Sequence, residues 1–210
     1  MDTVANTARR RNSLVFFEVP DVVRVLREAA FWDIYHEHCS YFSAGSLARL
    51  FRSTGFEVLR VETAFEAQYL LLEAVPSSNG SAVAVAEADL AELRRLTAGF
   101  QARCEAVMAA WKDRLAAGRV GDRRTVIWGG GSKGVALLTA LGLTSEIECV
   151  VDINPHKQGK YMPGTGQQVV APEYLQEHRP DLIVVMNPVY VAEITAQVRR
   201  MGISAEVLAV

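Results

Sequence analysis

The sequence predicts an α/β protein whose last third is a parallel β-sheet covered by helices. The apolar runs "TVIW", "IECVV" and "DLIVVM" alternate there with stretches of helical periodicity, a pattern typical of parallel sheets, and we expect four or five strands. A smaller α/β part comes first. Its apolar run Leu14–Val19 predicts a strand buried on both faces, and Pro20-Asp21 starts a short helix after it.

The remaining elements follow from local signals. Ser43 is a suitable N-cap and Gly55 a suitable C′ residue for the helix between them, and "FEVLRVE" and "QYLLLEAV" then predict an antiparallel pair of strands. "PSSNGS" indicates a linker. One long amphipathic helix is predicted after it, because residues of one face recur at steps of three and four: Leu90, Leu93, Thr97, Phe100, Cys104, Val107 and Trp111. That face either packs within its own domain or forms a dimer seam.

Composition and charge exclude several classes of function. The 210 residues carry a formal charge of -2, so the chain has no general attraction for nucleic acid, and Arg9–Arg11 is a short isolated basic run. The three cysteines are far apart and lack C-x-x-C spacing, which disfavours a disulfide framework or a zinc ribbon. No apolar run is long enough to span a membrane. We predict a cytoplasmic protein that acts on a small molecule.

A glycine motif follows the first strand of the parallel sheet. Gly129, Gly131 and Gly134 satisfy G-x-G-x-x-G between a strand and a helix, and Asp152 ends the next strand, as in dinucleotide-binding folds. These residues predict an anion or nucleotide site, to which Lys133 and Lys157 add positive charge. Alternatively the glycines only permit a tight turn, Asp152 braces the following loop, and both lysines are solvated.

Titratable residues are concentrated in "YHEHC", which starts at Tyr35. His36, His38 and Cys39 include ligand types that zinc prefers, but three ligands within four residues are sterically awkward on one ion, so we predict no metal site. A histidine beside a carboxylate also suits a general base. The third interpretation is a packed aromatic loop with hydrogen-bonded histidines.

Long collinear motifs carry a family resemblance from about residue 14 to the end. The motifs "LVFFEVP", "FWDIYHEHCSYFSAGSLARLFRSTGFEVL", "WGGGSKGVALL" and "VDINPHKQGKYMPGTGQQVVAPEYL" resemble the C-terminal half of the S-adenosylmethionine (SAM)-dependent C-methyltransferases, typified by sugar-nucleotide C-3 methyltransferases of deoxysugar biosynthesis. The resemblance implies part of a Rossmann-like methyltransferase domain, a linking helix and a Rossmann-like substrate domain. We therefore expect a disordered leader at 1–13, then these parts at 14–80, 81–120 and 121–210.

The resemblance also implies roles for individual residues. His38 is the expected general base, Glu37 the carboxylate that orients it, and Tyr35 a hydrogen-bond donor to substrate or enolate, for methylation next to a ketone. In such enzymes SAM is bound by a glycine-rich loop that comes earlier in the chain than the strand that Leu14–Val19 resembles. The resemblance therefore implies that the motif at Gly129 is not the SAM loop. Relatives usually carry glycine where this chain has Ala67, which implies a slightly altered backbone or a filled gap beside Gln68.

Three hypotheses about function follow. The chain is a C-methyltransferase part whose SAM lobe comes from a partner chain, or a remnant that binds or enolises a sugar nucleotide without methylating it, or an inactive truncated protein. Because the first strand lacks sheet neighbours in this sequence, we expect a homodimer or a partner-bound form.

Overall fold

The chain folds into two compact units. A computed structural model describes residues 1–77, 89–120 and 123–210. The first unit comprises Met1–Ala30 and His38–Gln101, and the second comprises Phe31–Glu37 and Ala102–Val210. Parts of the predicted linker, the start of the predicted long helix and the boundaries predicted at 80/81 and 120/121 lie outside the described residues.

The first unit is built on an antiparallel sheet with the strand order β1-β3-β2. Its strands are β1 (Val15–Pro20), β2 (Phe56–Ala64) and β3 (Tyr69–Pro76), and its helices are α1 (Asp2–Arg11), α2 (Val22–Glu28), α3 (Ala44–Ser53) and α4 (Leu90–Ala98). The predicted antiparallel pair is confirmed as β2 and β3. So are the predicted ends of α3: the Ser43 side chain accepts a hydrogen bond from Ser46 N, and Gly55 follows the helix with φ +85°.

The prediction that the first strand is buried on both faces is wrong. β1 is an edge strand, and Phe16 on its outer face is 55% exposed. Only the other face of the sheet contributes to the hydrophobic core, which includes Leu47 and Phe51 of α3. An antiparallel sheet commonly leaves one face to solvent, so an uninterrupted apolar run does not by itself predict burial on both faces.

The prediction of a disordered leader at 1–13 is also wrong. Residues 2–11 form α1, and Ala5 and Ala8 of this helix are buried in the same core as Leu47 and Phe51. Asn12 ends the helix in the left-handed conformation, with its N–H bonded to the carbonyls of Ala8 and Arg9. The buried residues are small, so they give the sequence little hydrophobic periodicity, and only the sheet beneath them shows that the helix is covered.

The second unit is a parallel sheet with the strand order β6-β5-β4-β7-β8, which confirms the predicted fold class and strand number. The strands are β4 (Thr125–Trp128), β5 (Cys149–Val151), β6 (Gln168–Val170), β7 (Leu182–Val185) and β8 (Glu206–Ala209). The helices are α5 (Phe100–Val120, in this unit from Ala102), α6 (Ser132–Leu141), α7 (Leu175–His178) and α8 (Val191–Arg200), with 3-10 turns at Phe31–Asp33, Pro172–Tyr174 and Pro188–Tyr190. Every residue of β4, β5 and β7 is buried, as the apolar runs predict.

The predicted single long helix is divided in the structure. α4 ends at Ala98 and α5 begins at Phe100, with Gly99 between them. The buried apolar side chains of the two helices, in the part of the chain that the structure describes, are Leu96 and Leu115. Neither is among the seven residues named for the predicted face, although Leu115 follows Trp111 by four residues. Because Gly99 interrupts the helix, steps of three and four counted across it need not describe one surface.

No helix among the described residues combines the length and the apolar character needed to cross a lipid bilayer.

Candidate functional site

The segment Phe31–Glu37 belongs to the second unit, although the sequence analysis places it in the domain 14–80. Phe31, Trp32 and Asp33 form a buried 3-10 turn. Asp33 Oδ1 lies 2.7 Å from Lys133 Nζ, and Ser132 Oγ donates a hydrogen bond to Glu37 Oε1 at 3.3 Å. Both partners lie in the first turn of α6, so two polar contacts attach the segment to the start of that helix.

A cleft of about 920 Å³ opens between this segment and the glycine loop of the same unit. Tyr35, His36 and Glu37 line one side, and Gly130 to Ser132 line another. Further lining comes from residues that the sequence analysis did not single out: Met108, Lys160, Tyr161 and Met162. Tyr161 is 66% exposed, so an aromatic ring stands at the open side of the cleft.

The three predicted catalytic residues fall on a unit boundary. Tyr35 and Glu37 line the cleft of the second unit, whereas His38, the next residue in the chain, is counted with the first unit. His38 is half-buried, and its ring meets Tyr41 edge-on with the centroids 6.1 Å apart. Tyr35 and Glu37 thus line a defined cleft, whereas His38 is not among its lining residues. The catalytic assignment of all three residues stays a prediction.

The glycine loop follows β4 and begins α6, as predicted, but its three glycines differ in what they do. Gly129 has φ +123°, a conformation that L-residues rarely adopt. A Cβ on Gly134 would lie 2.5 Å from the carbonyl oxygen of Gly129, so this glycine allows helix and loop to pack closely. A Cβ on Gly131 would have no atom within 4 Å, and Gly131 lines the cleft. Only Gly131 leaves open space at the position where a ligand would approach the backbone.

Asp152 braces the loop. Its Oδ2 accepts hydrogen bonds from Gly130 N at 3.0 Å and Lys157 Nζ at 2.9 Å, and its Oδ1 accepts one from Asn154 N at 2.8 Å. Lys157 and Lys133 are thus both ion-paired, and neither is a simple solvated lysine. A carboxylate bound in this way is poorly available to the ribose of a nucleotide, so the loop and Asp152 do not fit SAM or a dinucleotide in the usual manner.

Metal-ligating side chains and thiols are the remaining candidates for chemistry. Across residues 1–77, 89–120 and 123–210, no three or more His, Cys, Asp or Glu side chains are grouped to hold a metal ion. Burial, with a smaller effect of Glu148, raises the pKa of the Cys149 thiol to about 12, and burial also raises the pKa of Cys104. Neither thiol is therefore a ready nucleophile at neutral pH.

Comparison with known proteins identifies the family. Residues 78–205 match a family model described as the C-methyltransferase C-terminal domain, and residues 1–61 match a methyltransferase domain model. The chain belongs to the C-methyltransferase family. It is 38% identical over 194 residues to the C-methyltransferase NovU of Streptomyces niveus, an alignment that covers 87% of this chain and 46% of NovU. The chain thus spans about half the length of that curated relative, and the predicted family resemblance is confirmed.

Proposed function

We propose that this chain carries the deprotonating and substrate-holding part of a C-methyltransferase. Its substrate is a small metabolite with a ketone, of the nucleotide-sugar class, and the reacting carbon is the one next to the ketone. The observation that carries the proposal is the cleft of the second unit, where Tyr35 and Glu37 face the start of α6 and Lys160. Acidic, aromatic and cationic side chains are there brought to one space large enough for a substrate.

The chemistry of this chain is removal of a proton and stabilisation of the resulting enolate. His38 accepts the α-proton, because imidazole takes up and releases protons near neutral pH. Glu37 orients that imidazole, and the Tyr35 hydroxyl donates a hydrogen bond to the oxygen on which negative charge develops. The contact of Ser132 with Glu37 and the ion pair of Asp33 with Lys133 hold the segment in place.

We place SAM binding in residues outside this sequence, either in additional sequence of the same polypeptide or in a partner chain. Two observations support this. The glycine loop at Gly129 engages Asp152 instead of leaving it for a ribose, and the glycines of residues 1–77, at positions 45 and 55, are not in a glycine-rich turn between a strand and a helix. A form that enolises its substrate without methylating it is the alternative, and the same experiment distinguishes the two.

The test is hydrogen exchange at the carbon next to the ketone. The chain is incubated in deuterium oxide with a 4-keto-deoxysugar nucleotide, and wash-in of deuterium is followed by NMR without SAM. We expect exchange that His38→Gln reduces by about 100- to 10,000-fold, the range for positioned proton transfer, with smaller losses for Tyr35→Phe and Glu37→Gln. His156→Gln is the matched control, because His156 is an exposed histidine outside the cleft, and it should leave the rate unchanged.

The outcomes separate the hypotheses. Exchange that is lost in the His38 variant supports the base assignment, and methyl transfer that appears only after addition of a SAM-binding partner supports the divided enzyme. Exchange without methyl transfer under any of these conditions favours the enolising alternative. Equal exchange in wild type and the His38 variant would eliminate His38 as the base.

A further inference from the structure

We propose that the second unit has another ligand site, a cleft at the carboxyl ends of β4 and β7 that binds a nucleoside. The base lies against Ile153 and Tyr190, and the ribose hydroxyls contact Glu193 and Gln197. This site is separate from the Tyr35–Glu37 cleft, and the inference does not depend on the proposed proton transfer.

The position follows from the topology of the sheet. β4 is the central strand, from which the chain continues through β5 and β6 on one side and later through β7 and β8 on the other. The loops that leave β4 and β7 therefore diverge, and a crevice forms at their carboxyl ends. In open parallel sheets this switch point is the usual place for a ligand. The crevice is present here, with a volume of about 300 Å³.

The crevice has a preformed apolar floor and an open apolar rim. Trp128, Met186 and Ile194 line it and are buried, with exposures of 4–6%. At the rim, Ile153 is 72% exposed and Tyr190 is 51% exposed. An aliphatic and an aromatic side chain at the entrance of one small cleft suit a flat heterocycle, which gains stacking on the tyrosine and loses water from both faces.

The α8 wall supplies the polar groups. Glu193 and Gln197 are four residues apart, so they lie on the same side of the helix, and both line the crevice. Within the part of the chain that the structure describes, neither side chain has a hydrogen-bond or ion-pair partner. Asp152 also lines the crevice, but its oxygens are engaged by the loop and Lys157. Glu193 on α8, and not Asp152 at the end of β5, is therefore the carboxylate that accepts from a ribose hydroxyl.

Calorimetric titration of the whole chain with adenosine, uridine and thymidine tests the site. We expect saturable binding of at least one of the three nucleosides. Tyr190→Ala and Ile153→Asp should weaken it about tenfold or more, as loss of a stacking surface does. Leu59→Asp is the matched control, because Leu59 is an apolar residue of the other unit that is 51% exposed, and it should leave the affinity unchanged.

The Glu193→Gln variant tests the ribose contact. With the nucleoside that binds best, removal of a hydrogen bond to a carboxylate should weaken binding about 10- to 100-fold, and the 2′,3′-dideoxy analogue should bind wild type and variant alike. The natural ligand of the crevice is either the nucleoside part of the substrate or a separate nucleotide, and a competition experiment distinguishes the two. A 4-keto-deoxysugar nucleotide that displaces it shows that the crevice holds part of the substrate, whereas simultaneous binding shows a separate nucleotide ligand.

Either competition result supports the site. Absence of saturable binding of all three nucleosides at millimolar concentration, or affinities that the Ile153 and Tyr190 variants leave unchanged, would overturn it. The deuterium exchange assay is measured in parallel, since a wild-type chain that binds none of the nucleosides but still catalyses exchange refutes this site and not the proposed function.

Discussion

At the scale of single residues, the turn between β2 and β3 has an unusual backbone. Phe65, Glu66 and Ala67 have φ angles of +54°, +55° and +59°, all in the left-handed region. This conformation costs an L-residue roughly 1–2 kcal/mol, whereas glycine adopts it freely. The geometry explains why glycine would suit position 67, where the sequence analysis expects an altered backbone.

Ala67→Gly should therefore stabilise the protein. We expect the free energy of unfolding to rise by about 0.5–1 kcal/mol, because relief of the left-handed strain exceeds the added entropy of the unfolded chain. Urea denaturation measures it. Ala64→Gly, in β2, is the control and should lower stability by about 0.5–1 kcal/mol, since strand positions disfavour glycine. A lower stability of Ala67→Gly would show that the turn is not strained in solution.

At the scale of elements, the glycines of the strand–loop–helix unit from β4 to α6 have two different roles. Some allow close packing, and one leaves space where a ligand can approach. The carbonyl of Gly129 occupies the space where a side chain at position 134 would begin, so the loop and the first turn of α6 are in direct contact. At Gly131, by contrast, no neighbouring atom would obstruct a side chain, so packing does not require glycine there. The same three-glycine motif thus contains two residues that the fold requires and one that it does not.

Gly134→Ala and Gly131→Ala should differ sharply. We expect Gly134→Ala to reduce the free energy of unfolding by about 2 kcal/mol, because the 2.5 Å approach forces the helix away from the loop. Gly131→Ala should change it by less than about 0.5 kcal/mol. Thermal or urea unfolding of both variants checks this. Equal destabilisation would mean that position 131 has a packing role that the structure does not show.

At the scale of the whole molecule, the second unit is not a continuous piece of chain. Phe31–Glu37 belongs to it, although the 64 residues His38–Gln101 of the first unit separate this segment from Ala102. Buried Phe31 and Trp32 and the ion pair between Asp33 and Lys133 attach the segment. The segment Phe31–Glu37 should therefore unfold together with the parallel sheet of the second unit, and not with the antiparallel sheet of the first unit.

Amide hydrogen exchange read by mass spectrometry tests this coupling. In Gly134→Ala, peptides that cover 31–37 should exchange faster together with those from β4 and α6, while peptides from β2 and β3 keep their wild-type protection. Gly131→Ala should leave all of these peptides unchanged. Unchanged protection of 31–37 in the Gly134 variant, while α6 opens, would show that the segment is held independently of the second unit.

Local signals in the sequence predict much of this protein. Apolar runs give β4, β5 and β7, Ser43 and Gly55 give the ends of α3, and G-x-G-x-x-G gives the turn before α6, because each depends on a few adjacent residues and on backbone chemistry alone. The family could also be predicted, since its motifs are long and occur in the same order.

Contacts between distant parts of the chain decide the rest. The pairing of Asp33 with Lys133, the engagement of Asp152 by Gly130 and Lys157, and the burial of Ala5 and Ala8 all join residues whose proximity no local pattern encodes. The sequence by itself thus determined the elements, the family and the candidate chemical groups. The tertiary structure alone decided that Tyr35 and Glu37 share a cleft with the glycine loop, because long-range packing, and not residue type, sets which side chains meet.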